Sequence, residues 1–292
     1  MDSTRAKSAP RWPRKIIRGT ASLLLLLLLG VGVWSFFIEP NRLVIHEEAI
    51  QIDNWPKELS GLRIAIISDI HTGAPFVNDN KLREIVARTN QLNPDLVVLL
   101  GDYMSPNTWY SHRVESEVTA AGLKNLRAPL GVYSVLGNHD WWYNGNKVRA
   151  AFVQNGIRVL ENETAEIKWR NSSFWVVGLA DLWTRTQRIQ ETLDKVPDGS
   201  TIVAITHNPD IFPRLPRNVQ ILLAGHTHGG QVNFPIIGSP IEPSDFGQRY
   251  AAGHVFEDGH HLFVTTGIGT SILPIRFRVP PEIVLLTIHS LP

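Results

Sequence analysis

The chain has 292 residues and a formal net charge of +1, with 28 basic against 27 acidic side chains. That length fits one large domain or two small ones, and the body has no long basic run that would indicate nucleic-acid binding. The absence of cysteine excludes disulfides, iron–sulfur clusters and thiolate zinc sites. Any metal ion must therefore be held by His, Asp, Asn and water, a donor set that suits Mn, Fe or Zn.

The N-terminal segment differs in composition from the rest of the chain. Residues 1–18 are basic, and an uncharged stretch over residues 19–38 follows, with leucine at every position from Leu23 to Leu29. About 20 apolar residues are enough for a helix that spans a bilayer. A cleavable signal peptide has a shorter apolar core followed by small residues, whereas Trp34 lies at the exit here and fits an interfacial anchor. We therefore predict a basic cytoplasmic N-terminus over residues 1–18 and a transmembrane signal anchor over residues 19–38, with a cleaved signal as the alternative.

This charge pattern also predicts the side of the membrane on which the body lies. Basic residues before a first apolar helix stay in the cytoplasm, so the body would lie on the extracytoplasmic side of the inner (cytoplasmic) membrane. If the helix is embedded in one leaflet only, in a monotopic arrangement, the charge pattern does not predict the side on which the body lies.

Apolar periodicity divides the body into strands and helices. Asn78 is expected to cap a helix that Pro94 stops, and Gly156 is expected to cap a later one. After Gly156 strands become more frequent, which predicts two sheets packed face to face with helices outside, within one domain over residues 43–292. The predicted strands cover residues 43–52, 62–68, 96–100, 132–136, 157–160, 167–169, 174–179, 201–206, 219–224, 261–266 and 283–288, and the predicted helices lie near residues 82–92, 114–121, 148–152 and 188–196.

Side chains that can bind metal ions follow five of these apolar strands. The carboxyl ends of strands are where an open α/β sheet builds its active site. Asp69 and His71 alternate along an extended chain end and can point the same way, and a carboxylate at Asp102 can bridge two cations. The five blocks are Asp69-Ile70-His71, Gly101-Asp102, Gly137-Asn138-His139-Asp140, His207 and Gly225-His226-Thr227-His228.

The order of these blocks resembles that of the calcineurin-like metallophosphoesterases, over residues from about 61 to 290. The five blocks together are far more specific than any one of them alone. The resemblance implies a four-layer αββα sandwich of two mixed β-sheets flanked by helices. The block Gly225–Gln231 and the anchored N-terminus resemble the branch of bacterial YkuE- and YaeI-type phosphoesterases, which is similar to the UDP-2,3-diacylglucosamine hydrolases of lipid A synthesis.

The resemblance also implies two divalent metal ions. His139 matches the family's non-ligand histidine, which stabilises the transferring phosphoryl group or protonates the leaving oxygen, and Asp140 would orient His139 or support the loop. The ions would make hydroxide available near neutral pH, so we expect no phosphoenzyme and no nucleophilic side chain. One ion would be held by Asp69, His71, Asp102 and His228, and the other by Asp102, Asn138, His207 and His226.

The predicted function is a membrane-anchored, two-metal phosphodiesterase that acts on a lipid or envelope phosphodiester or pyrophosphate. UDP-2,3-diacylglucosamine is the first candidate substrate. The alternatives are a broad-specificity phosphomonoesterase and a non-catalytic metal-binding membrane scaffold. Structural metal sites are closed by protein ligands, whereas the set implied here leaves room for water and substrate. The sequence predicts no oligomeric state.

Aromatic residues near the blocks have a functional and a structural interpretation. The run Trp141–Tyr143 and the pair Trp109-Tyr110 can line the rim of the site or pack within their own loops. The segment over residues 235–253, which carries several Pro and Gly residues, is a candidate lid or membrane-facing rim.

Three arginines and several remaining polar residues also have both a functional and a structural interpretation. Arg249, Arg276 and Arg278 can meet a substrate phosphate, but surface solvation or structural pairing is favoured. Asp181 follows an apolar strand and is predicted to form a structural turn. Surface positions are predicted for the other histidines, which are His46, His112, His254, His260, His261 and His289.

Overall fold

The computed structural model describes residues 14–291, with side chains from Ile16 onward. The basic residues 1–13, predicted to stay in the cytoplasm, lie outside this range. Two six-stranded sheets pack face to face with helices outside, which confirms the prediction of a four-layer αββα sandwich. The helices are α1 Arg14–Val33, α2 Asp79–Gln91, α3 Ser116–Leu123, α4 Asn138–Gln154 and α5 Ile189–Leu193, and the strands are β1 Val44–Ile52, β2 Leu62–Ile67, β3 Leu96–Leu99, β4 Val132–Ser134, β5 Arg158–Val159, β6 Glu163–Trp169, β7 Ser172–Gly178, β8 Ile202–Ile205, β9 Ile221–Ala224, β10 Gly253–Glu257, β11 His260–Val264 and β12 Glu282–Ser290.

Both sheets are mixed. The first has the strand order β1-β12-β2-β3-β4-β5 and the second has the order β10-β11-β9-β8-β7-β6. Strands β2 to β5 run parallel, and so do β7, β8, β9 and β11 in the second sheet. The loops after β2, β3 and β4 therefore leave one edge of the first sheet, and those after β8 and β9 leave one edge of the second.

The main core lies between the two sheets. Ile64 and Ile66 of β2 and Ile205 of β8 are fully buried there. The alternate residues of β2, Ala65 and Ile67, face a second core that includes apolar side chains of α2, α3 and α4. Because both faces of the central strands are covered, their sequences are continuous apolar runs rather than alternating ones.

Strand β10 was not predicted. Two histidines of the neighbouring strand were therefore predicted to lie on the surface. Residues of β10 alternate between half-buried and exposed along the outer edge of the second sheet, so the strand has too few apolar residues to be recognised. His260 and His261 of the neighbouring β11 are only 8% and 6% exposed, so the surface prediction is wrong for both. His254 of β10 covers His261, with Nε2 at 2.9 Å from Nδ1.

His46 on β1 is half-buried between two carboxylates rather than alone on the surface. Its Nδ1 lies 3.1 Å from Glu282 Oε2, and its Nε2 lies 3.1 Å from Glu48 Oε2. The hydrogen bond to Glu282 raises the pKa of His46 to about 9, although partial burial opposes the shift. Burial would raise the pKa of Glu282, but hydrogen bonds from His46 and from the backbone of Thr266 hold it below its usual range.

The His46–Glu282 pair is expected to make folding stability depend on pH. The raised histidine pKa stabilises the fold fully below the ordinary value of 6.5, and this contribution is lost as the pH rises through about 9. The lowered Glu282 pKa acts in the opposite direction, since its contribution is present above the ordinary value of 4.5 and is lost on acidification. Because the His46 side chain is 37% exposed, the loss between pH 6.5 and 9 should be at most about 1 kcal/mol.

Thermal unfolding measured across this pH range checks the expectation. The natural protein and a His289→Gln control on the neighbouring strand β12 should lose more stability between pH 6.5 and 9 than His46→Gln, which keeps only the contribution of other groups such as His207. A pH slope in His46→Gln equal to that of the natural protein would show that His46 contributes nothing to it.

An apolar helix precedes the body. Residues Ile16–Asn41 form a 26-residue helical stretch that is long and apolar enough to cross a membrane. The side chains from Leu23 to Leu29 are 55–69% exposed, so this part of the helix stands clear of the described body. The helix continues through a π-type turn, where the carbonyl of Ser35 accepts a hydrogen bond from the backbone N–H of Arg276 at 3.0 Å. The helix therefore contacts the body at its C-terminal end.

Candidate metal centre

The loops after five strands meet at one place, where the carboxyl ends of strands from both sheets come together. The first sheet contributes residues that follow β2, β3 and β4, and the second contributes residues that follow β8 and β9. All of these side chains are at least 96% buried, and charged side chains are almost never buried so completely unless they have a partner. The residues brought together are Asp69, His71, Asp102, Asn138, His207, His226 and His228.

Two groups of possible ligand atoms can be distinguished. Asp69, His71 and His228 form the first group, in which the ligand atoms all lie within 4.8 Å of one another. Within it, Nε2 of His228 lies 3.2 Å from Nε2 of His71 and 3.4 Å from Oδ1 of Asp69. The three side chains therefore direct one atom each toward a common point, which is the arrangement that holds a cation.

The second group has the same character. It consists of Asp102, His207 and His226, again with ligand atoms within 4.8 Å of one another. Nδ1 of His226 lies 3.1 Å from Nε2 of His207, and Oδ1 of Asn138 lies 3.2 Å from the same Nε2. Asn138 therefore adds a neutral oxygen at this point.

Asp102 lies between the two groups. Its Oδ2 is 3.7 Å from Nε2 of His71 in the first group and 3.3 Å from Nε2 of His207 in the second. Its other oxygen, Oδ1, accepts a hydrogen bond from the backbone N–H of His139 at 2.8 Å. One carboxylate oxygen therefore faces both groups, and the other fixes the position of His139.

The electrostatics leave most of these histidines neutral. Burial lowers the pKa of His71 and of His226 to about 3, and it lowers the pKa of His228 well below its ordinary value. Burial also favours the neutral form of His207, but the charge of Asp102 outweighs it and raises the pKa of His207 to about 10. Neutral imidazole is the form that binds metal ions, so three of the four rings are already in that form near neutral pH.

The donor atoms fit a pair of divalent cations. Nδ1 of His71 donates to the carbonyl of Met104 and Nδ1 of His207 donates to the carbonyl of Leu100, which leaves Nε2 of each ring free to act as a ligand. In the first group, Oδ1 of Asp69, the atom that faces Nε2 of His228, is buried and has no hydrogen-bond partner among the described residues. Buried polar atoms need a partner, and cations bound to oxygen and nitrogen atoms would supply it.

The backbone at the site is strained. Gly137 lies against the side chain of Asp102. A Cβ at position 137 would lie 2.2 Å from Oδ1 of Asp102, so only glycine fits at that position. A side-chain-bearing residue rarely adopts positive φ, and such strain is typical of functional sites. Five residues of the two groups have positive φ, namely Asp69 (52°), His71 (47°), Asp102 (54°), His226 (72°) and His228 (53°).

Asp140 supports the loop that carries Asp102. Its Oδ2 accepts hydrogen bonds from the backbone N–H groups of Asp102 and Gly137, both at 2.9 Å. Its Oδ1 accepts from the N–H groups of Tyr103 at 2.9 Å and Met104 at 3.1 Å. Of the two roles considered for Asp140, the contacts match support of the loop rather than orientation of the His139 ring.

A cavity of about 510 Å³ opens onto the two groups. His139 and Trp142 line it, with their ring centroids 4.8 Å apart. Trp183 also lines it, with its ring centroid 4.3 Å from that of His226. Trp183 was missed in the sequence, although it lies two residues after Asp181, a polar residue at a strand end. Asp181 holds this turn by accepting hydrogen bonds from the backbone N–H groups of Trp183 and Thr184.

Of the aromatic residues singled out in the sequence, Trp142 alone lines this cavity. Trp109 is 87% exposed and contacts Tyr110 edge to face. Trp141 is half-buried, and Arg185 lies over its ring. The segment over residues 235–253 does contribute to the cavity wall, through Ile241 among others.

The three arginines have separate environments. Arg249 is exposed and pairs with Glu257, and Arg278 is exposed. Arg276 is fully buried, so surface solvation is wrong for it. Its guanidinium donates to the carbonyls of Gly269 at 2.7 Å and Thr266 at 2.9 Å. It therefore braces the loops beside the first ligand group.

The chain is similar to known phosphoesterases over most of its length. The sequence profile of the calcineurin-like phosphoesterases matches residues 62–230. The chain is 30% identical to the metallophosphoesterase YkuE of Bacillus subtilis over 89% of this chain and 90% of the relative. It is 28% identical to the phosphodiesterase YaeI of Escherichia coli, over 94% and 97% of the two chains, and 29% identical to a zebrafish (Danio rerio) transmembrane protein with a metallophosphoesterase domain, over 90% and 60%. Because the profile match spans both ligand groups, the chain belongs to the calcineurin-like metallophosphoesterase family, in its YkuE/YaeI-type branch.

Proposed function

We propose that this phosphoester hydrolase is a phosphodiesterase that works with two divalent cations. One cation would be held by Asp69, His71, Asp102 and His228, and the other by Asp102, Asn138, His207 and His226. The observation that carries the proposal is the position of Asp102, whose Oδ2 faces both ligand groups at the inner end of one cavity. When bound, two such cations activate water near neutral pH and neutralise the charge that builds on a phosphoryl group.

In this proposal His139 is the catalytic side chain. It is half-buried at the cavity wall, with its ring centroid 4.9 Å from that of His71. The bond from its backbone to Asp102 fixes it beside the place where the phosphoryl group would lie. From there its imidazole can protonate the leaving oxygen or donate a hydrogen bond to the transferring phosphoryl group. Asp140 acts as a positioning residue through the loop of Asp102.

We also propose a lipid or envelope phosphodiester or pyrophosphate as the substrate. The cavity walls away from the ligand groups are apolar and include Phe234, Ile241 and Ile272, which would suit acyl chains. The relative YaeI, 28% identical to this chain, is named a phosphodiesterase. UDP-2,3-diacylglucosamine, which combines a pyrophosphate with acyl chains, is the first specific candidate.

The side of the membrane on which the body lies decides whether it can reach this candidate substrate. UDP-2,3-diacylglucosamine is made on the cytoplasmic side, whereas the basic residues 1–18 favour an extracytoplasmic body. A monotopic anchor, or a cell-wall or phospholipid diester as the substrate, would resolve the conflict. A reporter fused after residue 292 and active on one side only would decide between the two locations.

An activity screen tests the proposed function. The full chain in detergent, stripped of metal and then reloaded with Mn²⁺, Fe²⁺ or Zn²⁺, should cleave bis-p-nitrophenyl phosphate faster than p-nitrophenyl phosphate. His139→Ala should bind the metals but lower kcat by about a hundredfold or more. Preference for the monoester would instead favour a broad-specificity phosphomonoesterase. A chain that binds both metals and cleaves neither ester would favour the scaffold alternative.

A further inference from the structure

Two loops expose a group of apolar side chains on one face of the body. The loops cover residues 232–241 and 268–275 and contain no charged residue, and we refer to them together as the apolar rim. Ile236 is 107% exposed, Ile237 is 71% exposed and Ile272 is 65% exposed. Contiguous exposed apolar surface of this kind marks a binding surface for protein or membrane.

The rim is a single connected surface. The side chain of Gln231 joins the two loops, since its Nε2 donates to the carbonyl of Leu273 at 3.0 Å and its Oε1 accepts from the N–H of Ser271 at 2.6 Å. The rings of Phe234 and Phe277 also lie 5.9 Å apart. The exposed isoleucines therefore belong to loops that are held together by specific contacts.

Two of the exposed isoleucines are also in an unfavourable conformation. Ile236 has a φ of 77° and Ile272 has a φ of 55°. A β-branched residue with positive φ is a conformational outlier. Solubility and backbone freedom would both favour a small polar residue or glycine at these positions, so the exposed isoleucines need another explanation.

The rim lies beside the apolar N-terminal helix. Arg276, which directly follows the second rim loop, donates its backbone N–H to the carbonyl of Ser35 at 3.0 Å. The next helix residues, Phe36 and Phe37, are 45% and 63% exposed. Helix and rim therefore form neighbouring apolar surfaces, and a bilayer that holds the helix would also reach the rim.

We propose that the apolar rim is a second membrane contact, which inserts into the bilayer surface next to the N-terminal helix. A lipid bilayer fits better than a protein partner because the rim is continuous with a helix of membrane-spanning length. Rim residues Phe234, Ile241 and Ile272 also line the cavity that leads to the ligand groups. Insertion would therefore place the mouth of the cavity at the level of the lipid phosphates. The contact itself does not depend on the proposed activity.

The natural absence of cysteine allows a direct depth measurement. Single-cysteine variants Ile236→Cys, Ile272→Cys and Val153→Cys carry an environment-sensitive fluorophore on the full chain in phosphatidylethanolamine–phosphatidylglycerol vesicles. Val153, 55% exposed on α4, is the matched apolar control. Nitroxide groups on the lipid chains should quench the labels at 236 and 272 several-fold more strongly than the label at 153, and aqueous iodide should show the reverse order. Tryptophan fluorescence on heating verifies that each variant is folded.

Two outcomes would overturn the proposal. Strong iodide quenching at 236 and 272, with no quenching from the lipid chains, would place the rim in water. Protection from both quenchers that depends on protein concentration would show that a second copy of the chain covers the rim. Neither readout requires catalysis, so a failure here is distinct from a failure of the proposed phosphodiesterase activity.

Discussion

Replacement of Asp102 by asparagine is expected to lower kcat/KM on bis-p-nitrophenyl phosphate by about a thousandfold. Asp102 is 2% exposed, and its Oδ2 faces both ligand groups. Asparagine offers one neutral oxygen, and its NH₂ group cannot bind a cation. Each of the two cations would therefore lose a negatively charged ligand. Steady-state kinetics should therefore show the loss together with a lower metal content per chain, measured by mass spectrometry on the purified protein.

The matched control lies at the other end of the same strand. Asp95 precedes β3, and its Oδ2 accepts the backbone N–H of Arg63 at 2.9 Å. The amide oxygen of an Asp95→Asn variant can accept the same bond, so activity and metal content should stay close to the natural values. Full metal content with full activity in Asp102→Asn would remove Asp102 from the ligand set.

Replacement of Arg276 by methionine is expected to destabilise the fold by about 3–5 kcal/mol. Arg276 is 0% exposed, and burial lowers its pKa to about 10, so it stays charged at neutral pH. Its guanidinium donates to the carbonyls of Gly269, Thr266 and Val279 at 2.7, 2.9 and 3.0 Å. Methionine fills part of the volume but leaves these buried carbonyls without donors, which costs free energy at each one.

Thermal unfolding in detergent, followed by tryptophan fluorescence, measures this effect. In a domain of this size the expected loss corresponds to a fall of roughly 6–20 °C in Tm. Arg278→Met removes an exposed arginine two positions away and should change stability by less than about 0.5 kcal/mol. Arg276→Lys should recover only part of the loss, because an ammonium group lacks the planar fork of donors. A Tm for Arg276→Met equal to that of Arg278→Met would contradict the bracing role.

The site could be predicted largely because its residues follow strands that are covered on both faces. A carboxylate or imidazole directly after a buried run such as β2 or β8 cannot rely on water, so it must have a designated partner. Asp69, His71 and His207 are recognisable for this reason. The two-sheet arrangement could be predicted as well, since strands follow one another closely after Gly156.

The rest depends on contacts between segments that are far apart in the chain. Arg276 is buried because carbonyl groups of the loop over residues 266–269 turn toward it, and no periodicity of the sequence indicates this. Trp183 reaches His226 from the loop after β7, and β10 covers His261. The positive φ values are equally invisible in the sequence, because residues other than glycine adopt positive φ at only about a few per cent of positions.

The left-handed backbone at five of the proposed ligands limits how far the stability of this protein can be raised without loss of activity. This conformation costs a residue with a side chain roughly 1–2 kcal/mol, so selection for folding alone would replace these residues by glycine or asparagine. A library screened only for heat resistance would therefore become enriched in stable but inactive chains with changes at these positions. Directed evolution of this enzyme would need to select for turnover and heat resistance at the same time.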